Sequence, residues 1–299
     1  MAGAFTAVDL SKLPSPDVVE TLDYETIVDE MIADLQARDP EFSALTESDP
    51  AYKIIEVAAF RELLIRQRIN ESSKSVMLAF AAGSDLDQIA ANYNVERLLI
   101  EKGDQEAIPP VDPVYESDDD LRRRVQLSFE GFSTAGPEGA YIFHALGADP
   151  DVLDASVASP TPGDVVVTVL SRSGDGTASA SLLTAVSDVL SKSDVRPLTD
   201  QVSVQSATIL DYSVDATLTL FPGPDSAVVL AAAESALADY IEKSRRLGRD
   251  VTRSGLFAAL HREGVQNVEL TTPASDVVAS PSEAPNAIST NVVVGGTDE

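Results

Sequence analysis

The first part of the chain repeats apolar residues at three- and four-residue intervals, the spacing of one face of an α-helix. The apolar positions of this pattern are Tyr24, Ile27, Val28, Met31 and Leu35. Asp23 precedes the pattern as a favoured helix N-cap, and Asp39-Pro40 after it disfavours continuation of the helix. The spacing therefore predicts a helix over residues 24–38, preceded by an extended arm over residues 1–22.

A longer helical pattern begins at Asp49-Pro50, because Asp is a favoured N-cap and Pro fits the first helical turn. The pattern continues to Phe80, and Gly83 follows where a left-handed C-cap residue is expected. A continuous helix of this length would span about 50 Å. One side of it mixes apolar and charged residues, namely Ile54, Val57, Arg61, Leu64, Arg68 and Glu71. The pattern predicts either a broken helix or one that packs against more than one partner.

The middle of the chain contains several helix-start signals and a proline-rich segment. Ser84 is predicted to cap a short helix that ends near Asn94. Residues 100–115 are rich in proline and acids and are predicted to form a linker. Ser117 and the three aspartates after it predict the start of another helix, since acids favour the positive helix end. A further helix is predicted from Pro137-Glu138 to Gly147.

From Asp151 the pattern changes to alternating strands and helices. Residues 153–157 alternate and residues 165–170 are apolar on both faces, which predicts two strands. A helix over residues 182–190 and a strand over residues 201–207 complete a ββαβ unit. A second unit follows with a strand over residues 214–220 and two helices, capped by Asp225 and Thr252 and ending at Leu247 and Leu260. Strands over residues 265–270 and 288–294 close it.

These elements predict an α+β protein, with a helical N-terminal region containing a long helix, followed by two small α+β layer domains, ferredoxin-like or similar. The predicted division is an arm, a helical domain, a linker, a central helical plus α+β domain and a C-terminal α+β domain. Their ranges are 1–22, 23–99, 100–115, 116–208 and 209–299.

Composition narrows the classes of function. The chain has 299 residues and a formal net charge of −28, from 49 acidic and 21 basic residues. Such a charge repels phosphates, so nucleic acid is not an expected partner. The start lacks the basic and apolar regions of a signal peptide, and no apolar run has the roughly 18 residues of a membrane span. We expect a protein made in the cytoplasm, without membrane insertion, whose acidity serves solubility or reflects a saline habitat.

Catalytic chemistry has few candidates. The chain has no cysteine and two histidines, His144 and His261, which stand alone in helical patterns. Asp118-Asp119-Asp120 is a helix start, since adjacent helical side chains point about 100° apart and do not converge on one ion. Gly174-Asp175-Gly176 lacks the rest of a calcium or phosphate loop and is predicted to be a turn. We predict no catalytic, cofactor-binding or metal-binding residues and no cofactor, although abundant carboxylates leave a glycan hydrolase open as an alternative.

Ten short runs, in order along almost the whole chain, resemble the baseplate J-like family of contractile-tailed phages. These runs are LPSPDVV at 13–19, AGSDLDQIAA at 82–91, NVER at 94–97, ESDDDLRRR at 116–124, STAGPEGAY at 133–141, FHAL at 143–146, DPDV at 149–152, VRPLTD at 195–200, VQNVEL at 265–270 and VGGTDE at 294–299. Each run is moderately specific, and together they cover the chain at matching length. The stronger acidity and the low lysine content are where this chain departs from the family.

The resemblance implies a structural wedge protein of a tail baseplate, in a phage or a phage-derived tailocin, assembled in the host cytoplasm and located in the virion. Similar proteins occur as paired copies in each of six wedges and tie a ring around a central hub. The implied partners are therefore other wedge proteins, the hub and further copies of this chain. A carboxylate-dependent cell-wall glycan hydrolase of the tail remains the alternative function at this point.

Overall fold

A computed structural model of the protein describes residues 8–133, 135–223 and 225–298. Residues 1–7 of the predicted arm, together with Thr134 and Glu299 of two family-like runs, lie outside the described residues. The described residues form two compact units, one with residues 8–97 and 117–125, the other with residues 98–116 and the described residues from 126 to 298. Helices and small mixed sheets confirm the α+β class. The division into five segments stays a prediction.

The first unit is built from helices. Its elements are α1 (Tyr24–Arg38), α2 (Pro50–Ser75), α3 (Gly83–Ala91) and the start of α4 (Asp118–Gly131). The predicted cap of α1 is confirmed, since the Asp23 carboxylate accepts a hydrogen bond from the Thr26 N–H at 2.9 Å. Helices α1 and α2 pack through a small buried core of Ile27, Val28, Ile55 and Ala59.

Helix α2 begins as predicted, with Asp49 at the N-cap position and Pro50 in the first turn, but it ends earlier than predicted. It has 26 residues and ends at Ser75, so it spans about 39 Å rather than 50 Å. The Asp49 side chain makes no cap to α2 and instead accepts from the Thr46 N–H at 2.6 Å. Beyond Ser75 the backbone tightens into short turns, in which the Phe80 N–H donates to the Met77 carbonyl. The apolar residues there continued the helical pattern in the sequence, although the chain turns.

Gly83 has the positive φ that was predicted, at +53°, but not the predicted position. It is the first residue of α3, with Ala82 at the N-cap, so the prediction that Gly83 ends the preceding helix is wrong. Ser84 lies inside α3 and is not its cap. The short helix itself and its end before Asn94, which has φ +57°, are as predicted.

In the second unit, the segment predicted as a linker contains a β-hairpin. Strand β1 (Leu99–Glu101) pairs antiparallel with β2 (Val114–Tyr115), and an isolated bridge joins Asp104 to Val111. Gly103, at φ +69°, allows the two sides of the hairpin to lie close together, because a Cβ at this position would be 2.5 Å from the Val111 carbonyl oxygen. Proline-rich composition predicted a linker, and no strand was predicted in this segment, where backbone pairing forms the hairpin.

The central module follows the predicted order. It contains α5 (Glu138–Leu146), β3 (Val152–Ala158), β4 (Asp164–Ser171), α6 (Ala180–Leu190) and β5 (Gln201–Ser206). The sheet order is β3-β4-β5, with β3 antiparallel and β5 parallel to β4, so α6 is the crossover of the ββαβ unit. Val167, Val169, Val186 and Leu190 are fully buried between the sheet and its helices.

The C-terminal module has a second mixed sheet. Its elements are β6 (Thr208–Leu220), α7 (Ser226–Ser244), α8 (Arg253–Leu260), β7 (Val265–Thr272) and β8 (Glu283–Thr297). Asp225 and Thr252 cap α7 and α8 through their side chains, as predicted, but α7 ends at Ser244 rather than Leu247. The strand order is β7-β6-β8. Each module's sheet has three strands in the described residues, so the ferredoxin-like detail is not confirmed.

The two modules of this unit share a small core. Only Ala207 separates β5 from β6, and it is buried with Leu153, Leu170 and Ala284. The buried Asp154 carboxylate accepts from the Leu247 N–H at 3.0 Å. Arg245, at the end of α7, donates to the Gly174 carbonyl at 2.7 Å. Apolar burial and hydrogen bonds from side chain to backbone therefore join the modules.

Candidate functional site

Helix α2 carries a second apolar surface on the side away from α1. At 100° per residue, Val57, Leu64 and Arg68 lie opposite the buried pair Ile55 and Ala59. We call this surface the open face; it consists of Ile54, Val57, Arg61, Leu64, Ile65, Arg68 and Ile69. Its apolar members are between 42% and 69% exposed. A contiguous exposed apolar stripe of this kind marks an interaction surface. Because this side of α2 is exposed, the charged side chains of Arg61 and Arg68 can lie among its apolar residues, as the sequence pattern showed.

The open face also differs in charge from the chain as a whole. Arg61 and Arg68 lie within it, both exposed, and across the described ranges neither forms an ion pair with a carboxylate. Glu71 lies at its margin and accepts from the Gln67 side chain at 3.0 Å. In a chain of net charge −28, an apolar stripe with two free guanidinium groups suits a partner that carries carboxylates.

Three of the family-like runs meet at Arg97 in the helical unit. The Arg97 Nε donates to the Asp87 carboxylate and its Nη2 to the Asp118 carboxylate, each at 2.7 Å. The other oxygen of Asp118 accepts from the Gly83 N–H at 3.1 Å. Burial opposes the charged form of Asp118, but the Gly83 N–H and the guanidinium outweigh it and lower the pKa of this carboxyl. Arg97 thus links α3 to the first turn of α4 through ion pairs with both helices.

The basic run of α4 is also structural. Arg122 donates to the carbonyl oxygens of Leu78 at 2.8 Å and Ala81 at 2.7 Å. Arg124 is buried and donates to the Glu96 carbonyl at 3.0 Å. These side chains satisfy backbone carbonyls in the turns on either side of α3, where no helix or strand supplies a donor. Both arginines therefore support the structure of the helical unit.

Two other family-like runs meet in the central module. The buried Tyr141 hydroxyl donates to the Asp200 carboxylate at 2.7 Å, and burial and this carboxylate raise the pKa of Tyr141. Gly136 has φ +74°, and a Cβ there would lie 2.8 Å from the Pro197 ring and 2.9 Å from the Asp200 carboxylate. The runs at 133–141 and 195–200 are therefore two sides of one packed junction.

Tyr141→Phe removes the hydroxyl from this junction while the ring stays in the core. We expect a loss of about 1–2 kcal/mol in the free energy of unfolding, because the Asp200 oxygen loses a donor in a partly buried place. Urea unfolding followed by circular dichroism measures the change. Tyr115→Phe, at a side chain that is 52% exposed, is the control and should change little. Equal effects of the two substitutions would contradict the role of the hydrogen bond.

The residues that the sequence offered as candidates for catalysis or metal binding make contacts that support the fold. His144 is half-buried with Nε2 3.2 Å from the Gly131 carbonyl, and burial lowers its pKa. His261 follows α8, where its own N–H donates to the Phe257 carbonyl. The Ser117 hydroxyl accepts from the Asp120 N–H at 3.1 Å, which confirms the helix-start interpretation of the three aspartates. Asp175 accepts from the Thr177 N–H at 2.8 Å in a tight turn, as predicted.

Neither a metal site nor a membrane span emerges from the part of the chain that the structure describes. Among those residues, no group of three His, Asp or Glu side chains is placed to hold a metal ion. Within the same residues, no helix is both long and apolar enough to cross a bilayer. The surface that stands out in the described part of the chain is the open face of α2, and an exposed apolar stripe of this kind is typical of proteins that act through contacts with neighbours.

Comparison with known proteins identifies the class in detail. Residues 47–104 match the baseplate J-like N-terminal domain, residues 133–206 the central domain and residues 212–293 the C-terminal domain of the same family. The chain is 50% identical to baseplate protein J of Escherichia phage P2 over 299 residues, covering 98% of this chain and 99% of that protein. This chain belongs to the baseplate J-like family.

A solved structure is similar over part of the chain. It is the electron cryomicroscopy structure of the anti-feeding prophage baseplate, at 17% identity and a TM-score of 0.40. The similarity covers 61% of this chain and 44% of that one. The family matches and the phage P2 relative support the structural interpretation of the sequence and give no support to the glycan-hydrolase alternative.

Sequence reasoning found the family-like runs but not what most of them do. The aspartates of the run at 116–124 were assigned to a helix start, yet the contact of Asp118 with Arg97 spans 21 residues. Periodicity did show that α2 carries mixed residues on one side, which is the signal of the open face. It did not show which of the two apolar sides of α2 would pack against α1.

Proposed function

We propose that this chain is a wedge component of a contractile tail baseplate, in a phage or a phage-derived particle, without catalytic activity of its own. It associates with other wedge proteins, with further copies of itself and with the hub that its ring surrounds. The similarity at 50% identity across nearly the full length of baseplate protein J of phage P2 carries this proposal. An exposed apolar stripe on a helix supports a role that works by contact.

The open face of α2 supplies one of these contacts in the proposal. Its partner is a helix of a neighbouring baseplate protein, whose own apolar stripe covers Ile54, Leu64 and Ile65. Carboxylates on that partner lie beside Arg61 and Arg68, which are seven residues, or about 10 Å, apart along α2. The long-range repulsion expected between two acidic proteins is then lowest where these arginines lie.

The proposal predicts that a charge on the open face blocks assembly without unfolding the protein. In Ile65→Glu the new carboxylate stands on a side chain that is 62% exposed, so the free energy of unfolding should change by less than about 0.5 kcal/mol. Burial of that carboxylate against an apolar partner should reduce the yield of complete tails by tenfold or more, since tenfold corresponds to about 1.4 kcal/mol. Electron microscopy of lysates in which the variant replaces the natural chain counts the tails.

Ala37→Glu is the matched control, because it adds the same charge to an exposed helical position on α1, away from the open face. This control should assemble tails at the normal yield. Normal yield with Ile65→Glu as well would show that the open face takes no part in assembly. A baseplate that forms with no copy of this chain in it would refute the proposed function as a whole.

A further inference from the structure

A groove runs between α7 and β8 in the C-terminal module. Its volume is about 320 Å³, and its floor includes Leu237, Ile241 and Val292. Glu234 and Glu242 of α7 line its rim, and both are exposed to solvent. The floor is apolar and the rim is acidic, so a fitting occupant carries an apolar side chain between two basic ones.

The strand beside this groove has a free edge. β8 has 15 residues, lies at the end of the order β7-β6-β8, and among the described residues pairs with β6 alone. From Ala284 to Thr297 it contains no charged residue, although the chain as a whole is strongly acidic. Natural edge strands are usually short, charged or covered, because unpaired backbone groups invite another strand. β8 carries Glu283 and Pro285 at its start and is bulged near Ile288 and Gly295, but from Ser289 to Val294 it has no charge, no proline and no bulge.

The groove and the edge have matching dimensions. Glu234 and Glu242 are eight residues apart on α7, which is about 12 Å along a helix. Residues four apart in an extended strand are about 13 Å apart and point to the same side. A strand that pairs with β8 next to Thr290 and Val292 would therefore bring two such side chains level with the two carboxylates.

We propose that β8 and this groove together bind an extended segment of a neighbouring protein. The segment pairs its backbone with the free edge of β8, as in peptide recognition by β-augmentation. Two lysine or arginine side chains, four residues apart, reach Glu234 and Glu242, and an apolar side chain midway between them enters the groove. This proposal rests on the proposed function in one respect, because it assigns the segment to another baseplate protein.

A second copy of this chain does not fit as the occupant. A second β8 contains no lysine or arginine and would leave both carboxylates without a partner. Basic residues four apart with an apolar residue midway occur in this chain only at 245–249 and 249–253. Neither stretch is available to bind a second copy, because Arg245 donates a hydrogen bond to the Gly174 carbonyl and Val251 is fully buried. The occupant is therefore a segment of a different protein.

The test uses the full-length protein and a labelled heptapeptide with the sequence Thr-Lys-Thr-Val-Thr-Lys-Thr, capped at both ends. Fluorescence anisotropy at 0.15 M salt measures its binding. A peptide of the same composition with its two lysines adjacent controls for attraction to an acidic protein in general. We expect the spaced peptide to bind at least tenfold more tightly than the control peptide. Equal affinities of the two peptides would overturn the proposal.

Variants locate the binding on the protein. Glu234→Gln with Glu242→Gln should weaken the spaced peptide at least tenfold, whereas Asp239→Asn with Glu263→Gln, an equal charge change at exposed positions off the groove, should not.

Ala238→Arg places a long cationic side chain in the groove and should abolish binding, whereas Ala232→Arg, exposed on another side of α7, should not. Circular dichroism of each variant checks that the module is folded. Binding that survives the groove variants overturns the proposal and leaves the wedge function intact, because tail assembly is measured separately.

Discussion

Gly176→Ala is expected to lower the free energy of unfolding by about 3 kcal/mol. Gly176 is buried at φ +106°, a backbone conformation that costs an L-residue about 1–2 kcal/mol. A Cβ there would also lie 2.6 Å from Leu170 Cδ1 and 3.1 Å from Ile209 Cδ1, and overpacking of this kind costs about 1–3 kcal/mol. Leu170 belongs to the core that joins the central and C-terminal modules, so this contact has little room to relax.

Gly174 provides a matched control within the same turn. It also has positive φ, at +60°, but a Cβ there would meet nothing within 4 Å. Gly174→Ala should therefore lose only the backbone component, about 1 kcal/mol. Denaturant titration of both variants measures the difference. Equal losses would mean that the contacts with Leu170 and Ile209 contribute nothing and that the shared core tolerates a methyl group.

Arg97→Ala is expected to lower the free energy of unfolding of the helical unit by about 2–3 kcal/mol. The Arg97 side chain is only 15% exposed and binds the carboxylates of Asp87 and Asp118 at 2.7 Å each. Removal of one partner from such a pair leaves carboxylates without their compensating charge, and this costs more than the loss of an exposed ion pair. Arg38→Ala breaks an ion pair with Asp34 whose side chains are 75% and 64% exposed, and should cost under about 0.5 kcal/mol.

The same variant should change how stability depends on pH. The pKa of Asp118 is below its ordinary value of 3.8 in the folded protein. Its contribution to stability is therefore fully present above that ordinary value and is lost as the pH falls through the lowered pKa. Without Arg97 this acid-dependent loss should shrink, whereas Arg38→Ala should keep it. Thermal unfolding between pH 2 and pH 6 distinguishes the two variants. Identical pH profiles of the natural protein and Arg97→Ala would contradict the role of Arg97 in lowering the pKa of Asp118.

Prediction from sequence was most accurate where one residue acts on its immediate neighbours. Asp23, Ser117, Asp225 and Thr252 were all assigned to helix starts, and each caps through its side chain. The partners in these bonds lie two or three residues apart, so local sequence contains both groups.

Strands were predicted from alternation, but their lengths were not. β6 and β8 extend by several residues beyond the alternating cores that predicted them. In both extensions the backbone is held by pairing between the two strands, from Thr208 with Glu283 onward. A strand end therefore depends on a neighbour that is 75 residues away in the sequence, and no local pattern contains that information.

The end of α2 was predicted wrongly and the strands at residues 99–101 and 114–115 were not predicted, for the same reason. The apolar run after Ser75 fits a helix as well as it fits packed turns, and Arg122, 44 residues away, hydrogen-bonds the Leu78 carbonyl in those turns. The proline-rich segment has the composition of a linker, but its two ends pair as strands, with Leu99 opposite Tyr115, 16 residues away. In each case, a non-local hydrogen bond favours a structure that local propensity does not.

The sequence by itself determined the α+β class, the order of the elements, most helix starts and, through ten short runs, membership of the baseplate J-like family. Only the tertiary structure decided that three of these runs meet at Arg97 and two at Tyr141. It also decided which side of α2 stays open, and that an uncharged strand edge lies beside an acidic groove. Caps and periodicity act within a few residues, whereas a surface is defined by what packs elsewhere, and that depends on contacts between distant parts of the chain.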